Sequence, residues 1–449
     1  MLPRDVKKSL SKHILADGLD IVVDLENSKG SWLVDKISGN RYLDFFSMFA
    51  SMSVGFNHPK LLAVQEQFGK IAIQKPSNSD AYTITMAEFV DTFSQFGIPK
   101  ELPYAFFIDG GALAVENALK TAFDWKVRKN FSKGHEKPVG SRIIHFQQAF
   151  HGRTGYTMSL TNTSDLRKTQ YFPTFDWPRI INPKLFFPLS PKNIEATIRN
   201  EKKALAQIRQ AIDTCGEEIA GLIIEPIQGE GGDNHFRKEF MISLRKICDE
   251  NEILFILDEV QTGIGLTGTF WAYEQMDIIP DIICFGKKSQ VCGILVSGRI
   301  DEVEHHVFKE SSRINSTFGG NLIDMLRFTH ILKIIQENNL IENARIQGEF
   351  LLSEITGIAN TYPDIVSNPR GLGLMCAFDL PDTSKRNAFK KRLFDEKFLV
   401  LACGNQGIRF RPHLTVTRDE IQTGIDIIHK VLASEGKQFV LSARSRNRS

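Results

Sequence analysis

Five polar side chains suited to catalysis follow short apolar runs of the chain. Glu225, Asp258 and Lys287 come within two residues of the end of such a run, and His151 and Arg153 come a few positions after another. Ligands of open α/β sheets bind outside the carboxyl ends of the strands. If the runs are neighbouring strands, we expect these side chains to converge on one rim of a sheet.

A lysine and an aspartate at adjacent strand ends, beside a helix that opens on glycines, suit pyridoxal 5'-phosphate. The aldehyde of this cofactor requires a lysine amine, its ring nitrogen requires a carboxylate to stay protonated, and its phosphate requires an anion site. Helix N-termini bind anions through their backbone N–H groups, and Gly110-Gly111-Ala112 precedes a helical pattern. We therefore interpret Lys287 and Asp258 as cofactor residues.

The apolar runs predict the sheet that positions these side chains. Continuous apolar runs separated by helical patterns are typical of an α/β domain with a mostly parallel central sheet covered on both faces. Beyond about Asp324 the pattern changes to long amphipathic helices, which indicates a smaller α+β domain. The predicted strands are residues 104–108, 142–146, 220–224, 253–257 and 282–285.

The same patterns divide the chain into predicted parts. Residues 1–55 are expected to form short strands that belong to the small domain, and residues 56–325 the large cofactor-binding domain. The small α+β domain is expected over residues 326–441. Residues 442–449 carry three arginines without apolar partners, which is typical of a flexible, solvated tail.

Composition excludes several classes of protein. The 449 residues carry 55 lysines and arginines against 53 aspartates and glutamates, so a charge of +2 gives no footprint for nucleic acid. No stretch approaches the roughly 18 to 20 apolar residues of a membrane span, and the N-terminus lacks a secretory pattern. The six cysteines form no CxxC pair, which favours reduced thiols over a metal site. We expect a cytoplasmic protein with no metal, nucleic-acid or membrane partner.

Two glycine motifs compete with this interpretation. Residues 263–268 match GxGxxG, which would favour a nicotinamide-dependent oxidoreductase. The match is weak, because five residues separate the predicted strand from Gly263 and no acid ends the next strand. The segment around Gly286 and Lys288 is similar to the end of a P-loop, but Asp281 stands where that loop needs a glycine. A catalytically silent binding protein is disfavoured, because every chemical position is filled.

Nearly the whole chain resembles the class III (omega) aminotransferases, which have the type I fold of pyridoxal-phosphate enzymes. The resemblance is strongest to the members that act on L-lysine. A Lys-Lys pair at positions 287 and 288 is shared with lysine and 4-aminobutyrate aminotransferases, whereas many other members continue with glycines. His413 stands where a proline is common. The segments that carry the resemblance are residues 75–80, 110–120, 149–153, 225–233, 258–263, 285–293, 315–321 and 409–412.

The resemblance implies a role for each residue around the cofactor. Lys287 would bind the cofactor covalently, with Lys288 a structural neighbour, and Asp258 would pair with the ring nitrogen. Gln261 would hydrogen-bond the ring hydroxyl. The cofactor residues implied in all are Gly111, Ala112, Phe150, His151, Glu225, Asp258, Val260, Gln261, Lys287 and Thr317.

Other implied contacts surround the ring and the phosphate. The ring would lie between Phe150 and Val260, and the phosphate would lie against Gly111 and Ala112. Thr317 would reach the phosphate bound to a neighbouring subunit. The resemblance therefore implies a homodimer with two shared active sites.

The implied reaction moves the ε-amino group of L-lysine to 2-oxoglutarate. It yields 2-aminoadipate 6-semialdehyde, which cyclises, and L-glutamate, in a ping-pong cycle with Lys287, Asp258 and Glu230 as catalytic residues. The implied substrate residues are Arg153, Arg409, Glu230 and Asn315.

Each substrate residue has an implied partner. Arg153 would clamp the distant carboxylate of lysine, and Arg409 the second carboxylate of glutamate or 2-oxoglutarate. Glu230 would cover Arg409 during the lysine half-reaction. Asn315, or carbonyls near Ser77 and Asn78, would accept from the α-ammonium of lysine. A shorter donor such as 4-aminobutyrate remains open, because the same clamp serves it.

Overall fold

A computed structural model describes residues 1–446 of the chain, with side chains described over residues 1–434. The strands in chain order are β1 (Trp32–Val34), β2 (Arg41–Asp44), β3 (Tyr104–Ile108), β4 (Arg142–Phe146), β5 (Arg179–Ile180), β6 (Ile219–Ile224), β7 (Ile227–Gln228), β8 (Asn234–His235), β9 (Leu254–Asp258), β10 (Ile282–Phe285), β11 (Cys292–Val296), β12 (Ser367–Leu372), β13 (Met375–Asp379), β14 (Phe398–Leu399), β15 (Leu401–Cys403) and β16 (Gly407–Phe410). The helical segments are α1 (Val6–Leu10), α2 (Ser47–Ala50), α3 (Pro59–Leu62), α4 (Gln65–Ala72), α5 (Ile84–Phe96), α6 (Gly111–Ser132), α7 (Gly155–Leu160), α8 (Pro191–Cys215), α9 (Lys238–Glu250), α10 (Leu322–Glu337), α11 (Leu340–Thr361), α12 (Thr383–Asp395) and α13 (Arg418–Arg446). None of these described helices is long and apolar enough to cross a lipid bilayer.

The central sheet has seven strands in the order β3-β11-β10-β9-β6-β4-β5. The pairs from β10 to β5 are parallel, whereas β11 runs antiparallel to both β10 and β3. Every residue of β6, β9, β10 and β11 is buried, because helices such as α6 cover the sheet. The predicted α/β fold with a mostly parallel sheet is confirmed, and β11 is a strand that the sequence analysis missed.

Two smaller sheets involve the two ends of the chain. β12, β13, β16 and β15 form an antiparallel sheet, and β14 pairs in parallel with β2 of the β1-β2 hairpin. The N-terminal strands therefore lie with the C-terminal part of the chain. The boundaries at residues 55, 325 and 441 stay a prediction. Helix α13 continues to Arg446, past the start of the predicted tail, and residues 447–449 lie outside the described residues.

The glycines of the GxGxxG match do not form a nucleotide-binding loop. Residues 261–267 are turns, and the next regular element is a short 3-10 helix, Ala272–Gln275. Gly268 has a φ of 89°, and a Cβ there would lie 3.2 Å from the Cβ of Arg345 on α11. Since a dinucleotide loop opens a helix on the pyrophosphate, these glycines serve close packing instead. The oxidoreductase alternative is wrong on this geometry.

A left-handed turn, α2, lies between the N-terminal strands and the central sheet. Its four residues have φ values from 45° to 69°, a conformation that costs energy for side chains other than glycine. The buried Asp44 carboxylate accepts the N–H of Phe46 at 2.9 Å and of Ser47 at 2.7 Å. Lys288 Nζ donates a hydrogen bond to the Ala50 carbonyl at 2.8 Å. Polar groups on both sides therefore hold the turn in place.

His413, whose effect the sequence left open, joins the N-terminal strands to the C-terminal part. Its ring nitrogens lie 2.7 Å from Ser31 Oγ and 2.7 Å from Thr415 Oγ1. A Cβ at Gly55 would lie 2.9 Å from His413 Nε2, so this glycine lets the chain approach the ring. Burial lowers the pKa of His413 to about 3. The histidine is therefore neutral and hydrogen-bonded at physiological pH.

The buried His413 predicts a specific acid sensitivity. Its folded-state pKa lies below its unfolded value near 6.5, so its contribution to stability is complete above pH 6.5 and is lost as pH falls toward 3. Between pH 7 and pH 5 this loss amounts to about 2 kcal/mol. In urea unfolding, we expect His413→Gln to lose less stability over that interval than the wild type does.

The matched control is His305→Gln, because the His305 side chain is 69% exposed. It should lose as much stability between pH 7 and pH 5 as the wild type. An equal loss in His413→Gln and the wild type would show that this histidine does not carry the effect.

Candidate active site

A cavity of about 370 Å³ lies at the carboxyl ends of the central strands. The parallel register of β9 and β10 sets Asp258 opposite Cys284, and Lys287 follows β10 after one glycine. Eleven of the fourteen predicted site residues line this cavity. The lining consists of Gly111, Ala112, Phe150, His151, Gly152, Arg153, Glu225, Glu230, Asp258, Val260, Gln261 and Lys287.

A larger cavity of about 710 Å³ lies elsewhere, between the N-terminal segment and helix α12. Its lining is mostly apolar, with Phe46, Phe394 and Leu401 among its residues, and it does not include Asp258 or Lys287. The larger cavity therefore lacks the residues suited to catalysis, and the smaller cavity is the candidate active site.

Two acids and a histidine form a buried cluster on one wall of the candidate active site. His151 Nδ1 lies 2.8 Å from Asp258 Oδ2, and the other oxygen of Asp258 accepts the N–H of Val260 at 3.1 Å. Glu225 accepts backbone N–H groups of Phe150 and Gly229 at 2.9 and 3.0 Å. Burial raises the pKa of Glu225 to about 7. A cation inside the cavity would stabilise the charged form of these buried acids, which burial otherwise disfavours.

Lys287 enters the cavity from a strained position. Its φ is 51°, in the left-handed region, at the start of a 3-10 turn that follows Gly286. Its side chain is half-buried, and the loss of solvation in the cavity lowers its pKa below the usual value for lysine. A lysine with a lowered pKa has more neutral amine at physiological pH, which is the form that acts as a nucleophile or base.

The N-terminus of α6, with its glycines, forms another wall of the cavity. Gly110 has a φ of 99° and turns the chain into the helix. A Cβ at Gly111 would lie 2.8 Å from Val260 Cγ1, and one at Gly152 would lie 2.5 Å from the Cβ of Ala112. Glycine at these positions leaves room for the Val260 side chain and for Ala112 at the helix end. The first N–H groups of α6 are therefore accessible to an anion in the cavity.

These features together fit pyridoxal 5'-phosphate. The cofactor combines an aldehyde, a basic ring nitrogen and a phosphate, and the cavity sets a lysine amine, a buried carboxylate and a helix N-terminus around one volume. His151 Nε2 is buried without a hydrogen-bond partner among the described residues, so the cluster has capacity left for a further polar group. Lys287, Asp258 and the start of α6 would hold the three parts of the cofactor.

Gln261 is oriented by two arginines. Its side-chain oxygen accepts from Arg409 Nη1 at 3.2 Å and from Arg411 Nε at 3.1 Å. Arginine has only donors, so the atom facing both guanidiniums must be the oxygen, and the amide NH2 group is left to donate elsewhere. Arg411 is itself held by Asp233 at 2.5 Å, in an ion pair with both side chains fully buried.

Arg409 and Glu230 lie near the cavity but do not pair with each other in the structure. Burial and the neighbouring Arg411 lower the pKa of the buried Arg409. Glu230 instead accepts from Thr163 Oγ1 at 2.9 Å and from Lys168 Nζ at 2.5 Å. The sequence analysis missed Thr163 and Lys168, which come from an irregular segment without a recognisable pattern.

Thr317 and Asn315 do not line the cavity of their own chain. Both are exposed, and the Thr317 carbonyl accepts a hydrogen bond from Ser77 Oγ. The Asn315 side chain accepts the N–H of Ser316 at 2.8 Å. The structure therefore does not bring these two predicted residues to the site formed by their own chain.

Comparison with known proteins gives a consistent family. Residues 15–432 match the aminotransferase class-III family. The chain is 48% identical to an L-lysine-epsilon aminotransferase of Amycolatopsis lactamdurans over 96% of both chains. It is 30% identical to the human mitochondrial 4-aminobutyrate aminotransferase over 96% of this chain and 88% of the relative.

A solved structure supports the same assignment. The lysine aminotransferase from M. tuberculosis in the internal aldimine form superimposes with a TM-score of 0.94 at 48% identity, over 97% of this chain and 100% of that one. Since the family match spans the cavity and the strands that build it, the chain belongs to the class-III aminotransferases and is a transaminase that uses pyridoxal 5'-phosphate.

Proposed function

We propose that this enzyme transfers the ε-amino group of L-lysine to 2-oxoglutarate. The products are 2-aminoadipate 6-semialdehyde, which cyclises, and L-glutamate, formed in a ping-pong cycle. The observation that carries the proposal is that the lysine-specific relatives are far more similar to this chain than the 4-aminobutyrate relative, over the same share of its length. Two cations support it: Arg153 lines the cavity, and Arg409 donates to Gln261, which also lines it.

We assign the proton transfers to Lys287 and Asp258. When bound, pyridoxal 5'-phosphate supplies an aldehyde that combines with amines and a ring that accepts the electrons of a breaking C–H bond. The Lys287 amine would remove the proton from the ε-carbon of lysine, since loss of solvation favours its neutral form. Asp258, held by His151 and by the Val260 N–H, would pair with the ring nitrogen of the cofactor and favour its protonated form. Glu225 fixes the Phe150 backbone that carries one face of the site.

We assign the remaining cofactor contacts to the other lining residues. Gly111 and Ala112 offer the N–H groups of the α6 N-terminus to the phosphate. Phe150 and Val260, which both line the cavity, would hold the ring between them. The NH2 group of Gln261 donates to the ring oxygen, because both arginines occupy its carbonyl oxygen.

The two substrates place their carboxylates differently. Lysine carries its carboxylate several carbons from the reacting amine, and Arg153, exposed at the cavity wall, suits it. 2-Oxoglutarate carries a carboxylate next to the reacting carbon as well as a distant one, and the buried Arg409 suits one of them. A guanidinium binds a carboxylate through two parallel hydrogen bonds. Lysine presents no carboxylate to Arg409, so Glu230 would cover that cation in the lysine half-reaction.

We propose a homodimer with shared sites and a cytoplasmic location. Thr317 and Asn315 are exposed in the single chain and do not line its cavity, which supports a role at the site of a neighbouring subunit. All six cysteines are free and five are buried, which supports a reducing compartment.

A donor panel tests the substrate assignment. With 2-oxoglutarate as acceptor, we expect turnover with L-lysine and little or none with ornithine, 4-aminobutyrate or β-alanine. Glutamate formation and the cyclised aldehyde are the measured products. Preferential use of 4-aminobutyrate would overturn lysine as the donor and leave the transaminase assignment intact.

Replacing each lysine of the adjacent pair tests which one binds the cofactor. We expect Lys287→Ala to lose the visible absorbance of the bound cofactor and covalent labelling after borohydride reduction. Turnover should fall by at least the roughly 10²–10⁴-fold that proton transfer contributes. Lys288→Ala should keep both the absorbance and the labelling, because Lys288 donates a hydrogen bond to the Ala50 carbonyl outside the cavity. Labelled peptide from the Lys287→Ala protein would refute the assignment.

Single-turnover kinetics test the part assigned to Glu230. We expect Glu230→Gln to slow the lysine half-reaction by about tenfold or more, because an uncovered Arg409 repels the cationic donor at a cost above about 1 kcal/mol. The glutamate half-reaction should change less. Equal losses in both half-reactions would contradict the assignment.

A further inference from the structure

We propose that Lys168 is a positioning residue that sets how the enzyme divides its affinity between its two substrates. It would do so by holding Glu230 away from Arg409. The inference rests on the proposed function, since it needs one donor without a second carboxylate and one acceptor with two. Neither the family match nor the named relatives assign a role to this lysine.

Two contacts define the position of the Glu230 carboxylate in the structure. Its Oε1 lies 2.5 Å from Lys168 Nζ and 2.9 Å from Thr163 Oγ1. Thr163 Oγ1 also accepts the N–H of Asp165 at 3.3 Å, so the single hydroxyl hydrogen is committed to Glu230. The lysine and threonine therefore form a site for this carboxylate that is separate from Arg409.

The backbone is closely packed at Glu230 and at the residue that follows it. Its carbonyl accepts the N–H of Gly404 at 2.8 Å, and a Cβ at Gly231 would lie 1.9 Å from the Gln148 carbonyl oxygen. Close packing of backbone on backbone leaves no room for the loop to shift. We therefore expect Glu230 to exchange Lys168 for Arg409 by rotation of its side chain.

Arg409 is left with unused hydrogen-bonding capacity when Glu230 lies on Lys168. Its Nε is buried and has no partner among the described residues, while Nη1 donates to Gln261 at 3.2 Å. A buried guanidinium with an open donor favours an incoming carboxylate. The conformation with Glu230 on Lys168 is therefore the one that accepts the dicarboxylate substrate.

The charge of Lys168 also lies close to the cavity. Its Nζ is 5.9 Å from the centre of the Phe150 ring, and Phe150 lines the cavity. Lys168 and Arg409 are thus two cations that compete for one carboxylate. Removing Lys168 shifts Glu230 toward Arg409, which disfavours 2-oxoglutarate and leaves lysine unimpeded.

The test compares Lys168→Met with Lys168→Arg in the holoenzyme. We expect Lys168→Met to raise the KM for 2-oxoglutarate and the Kd for glutarate, measured by calorimetry, by about threefold to fivefold, the size of a part-exposed ion pair. The lysine half-reaction should not slow. Lys168→Arg should restore both constants, because it keeps the cation.

A double variant separates action through Glu230 from direct contact with substrate. In a Glu230→Gln background, Lys168→Met should have no further effect on glutarate binding. A persistent effect would show that Lys168 binds the substrate carboxylate itself and would overturn the inference. If the wild type turns over lysine but Lys168→Met leaves the KM for 2-oxoglutarate and the Kd for glutarate unchanged, the inference is refuted as well. If the wild type does not turn over lysine, the proposed function is refuted instead.

Discussion

The register between strands β9 and β10 is the constraint on which the site depends. It sets Asp258 opposite Cys284 and brings the Lys287 amine to the same sheet edge. Side chains alternate between the two faces of a strand, so a shift of one residue would exchange Asp258 for Glu259. Glu259 now points the other way and accepts N–H groups of Ala272 and Tyr273 at 2.9 and 2.8 Å. The alternation thus assigns one of two adjacent acids to the cavity and the other to the core.

Burial of charge is the second constraint, and it follows from the first. The strand ends that meet at this edge are covered, so Asp258, Glu225 and Arg409 are buried and Lys287 is half-buried. Each is compensated by a fixed partner or by a shifted pKa, because a bare charge in this environment is costly. Groups held in this way are poised to exchange protons. The same burial therefore costs folding energy and provides the chemistry.

The sequence predicted the parts of the site that follow directly from a strand end. Asp258 and Lys287 come directly after continuous apolar runs. The register of the parallel strands then brings both side chains to the same edge of the sheet. β11 was missed because Cys292–Val296 follows β10 after only a short turn, and an antiparallel neighbour was not expected in a mostly parallel sheet. The roles of Gln261 and Glu230 were predicted from the resemblance to the family and not from the pattern of apolar runs.

Other residues had no local signal. Lys168 and Thr163 come from a segment without periodicity, and only the folded chain shows that they meet Glu230. Arg411 belongs to a motif that was recognised, but its partner Asp233 is 178 positions away. Contacts of this kind depend on loop paths, which composition and spacing do not encode.

The proposed switch of Glu230 would let one cavity serve substrates of different charge. The backbone at Glu230 and Gly231 is closely packed, so we expect the switch to need only rotation of the Glu230 side chain between two cations. Lys168 is part-exposed, and an ion pair there contributes at most about 1 kcal/mol. The proposed pairing with the buried Arg409 would require desolvation of the Glu230 carboxylate, which opposes the attraction between the two charges. If these opposing effects bring the two pairings close in free energy, the carboxylate of the arriving substrate would be enough to decide between them.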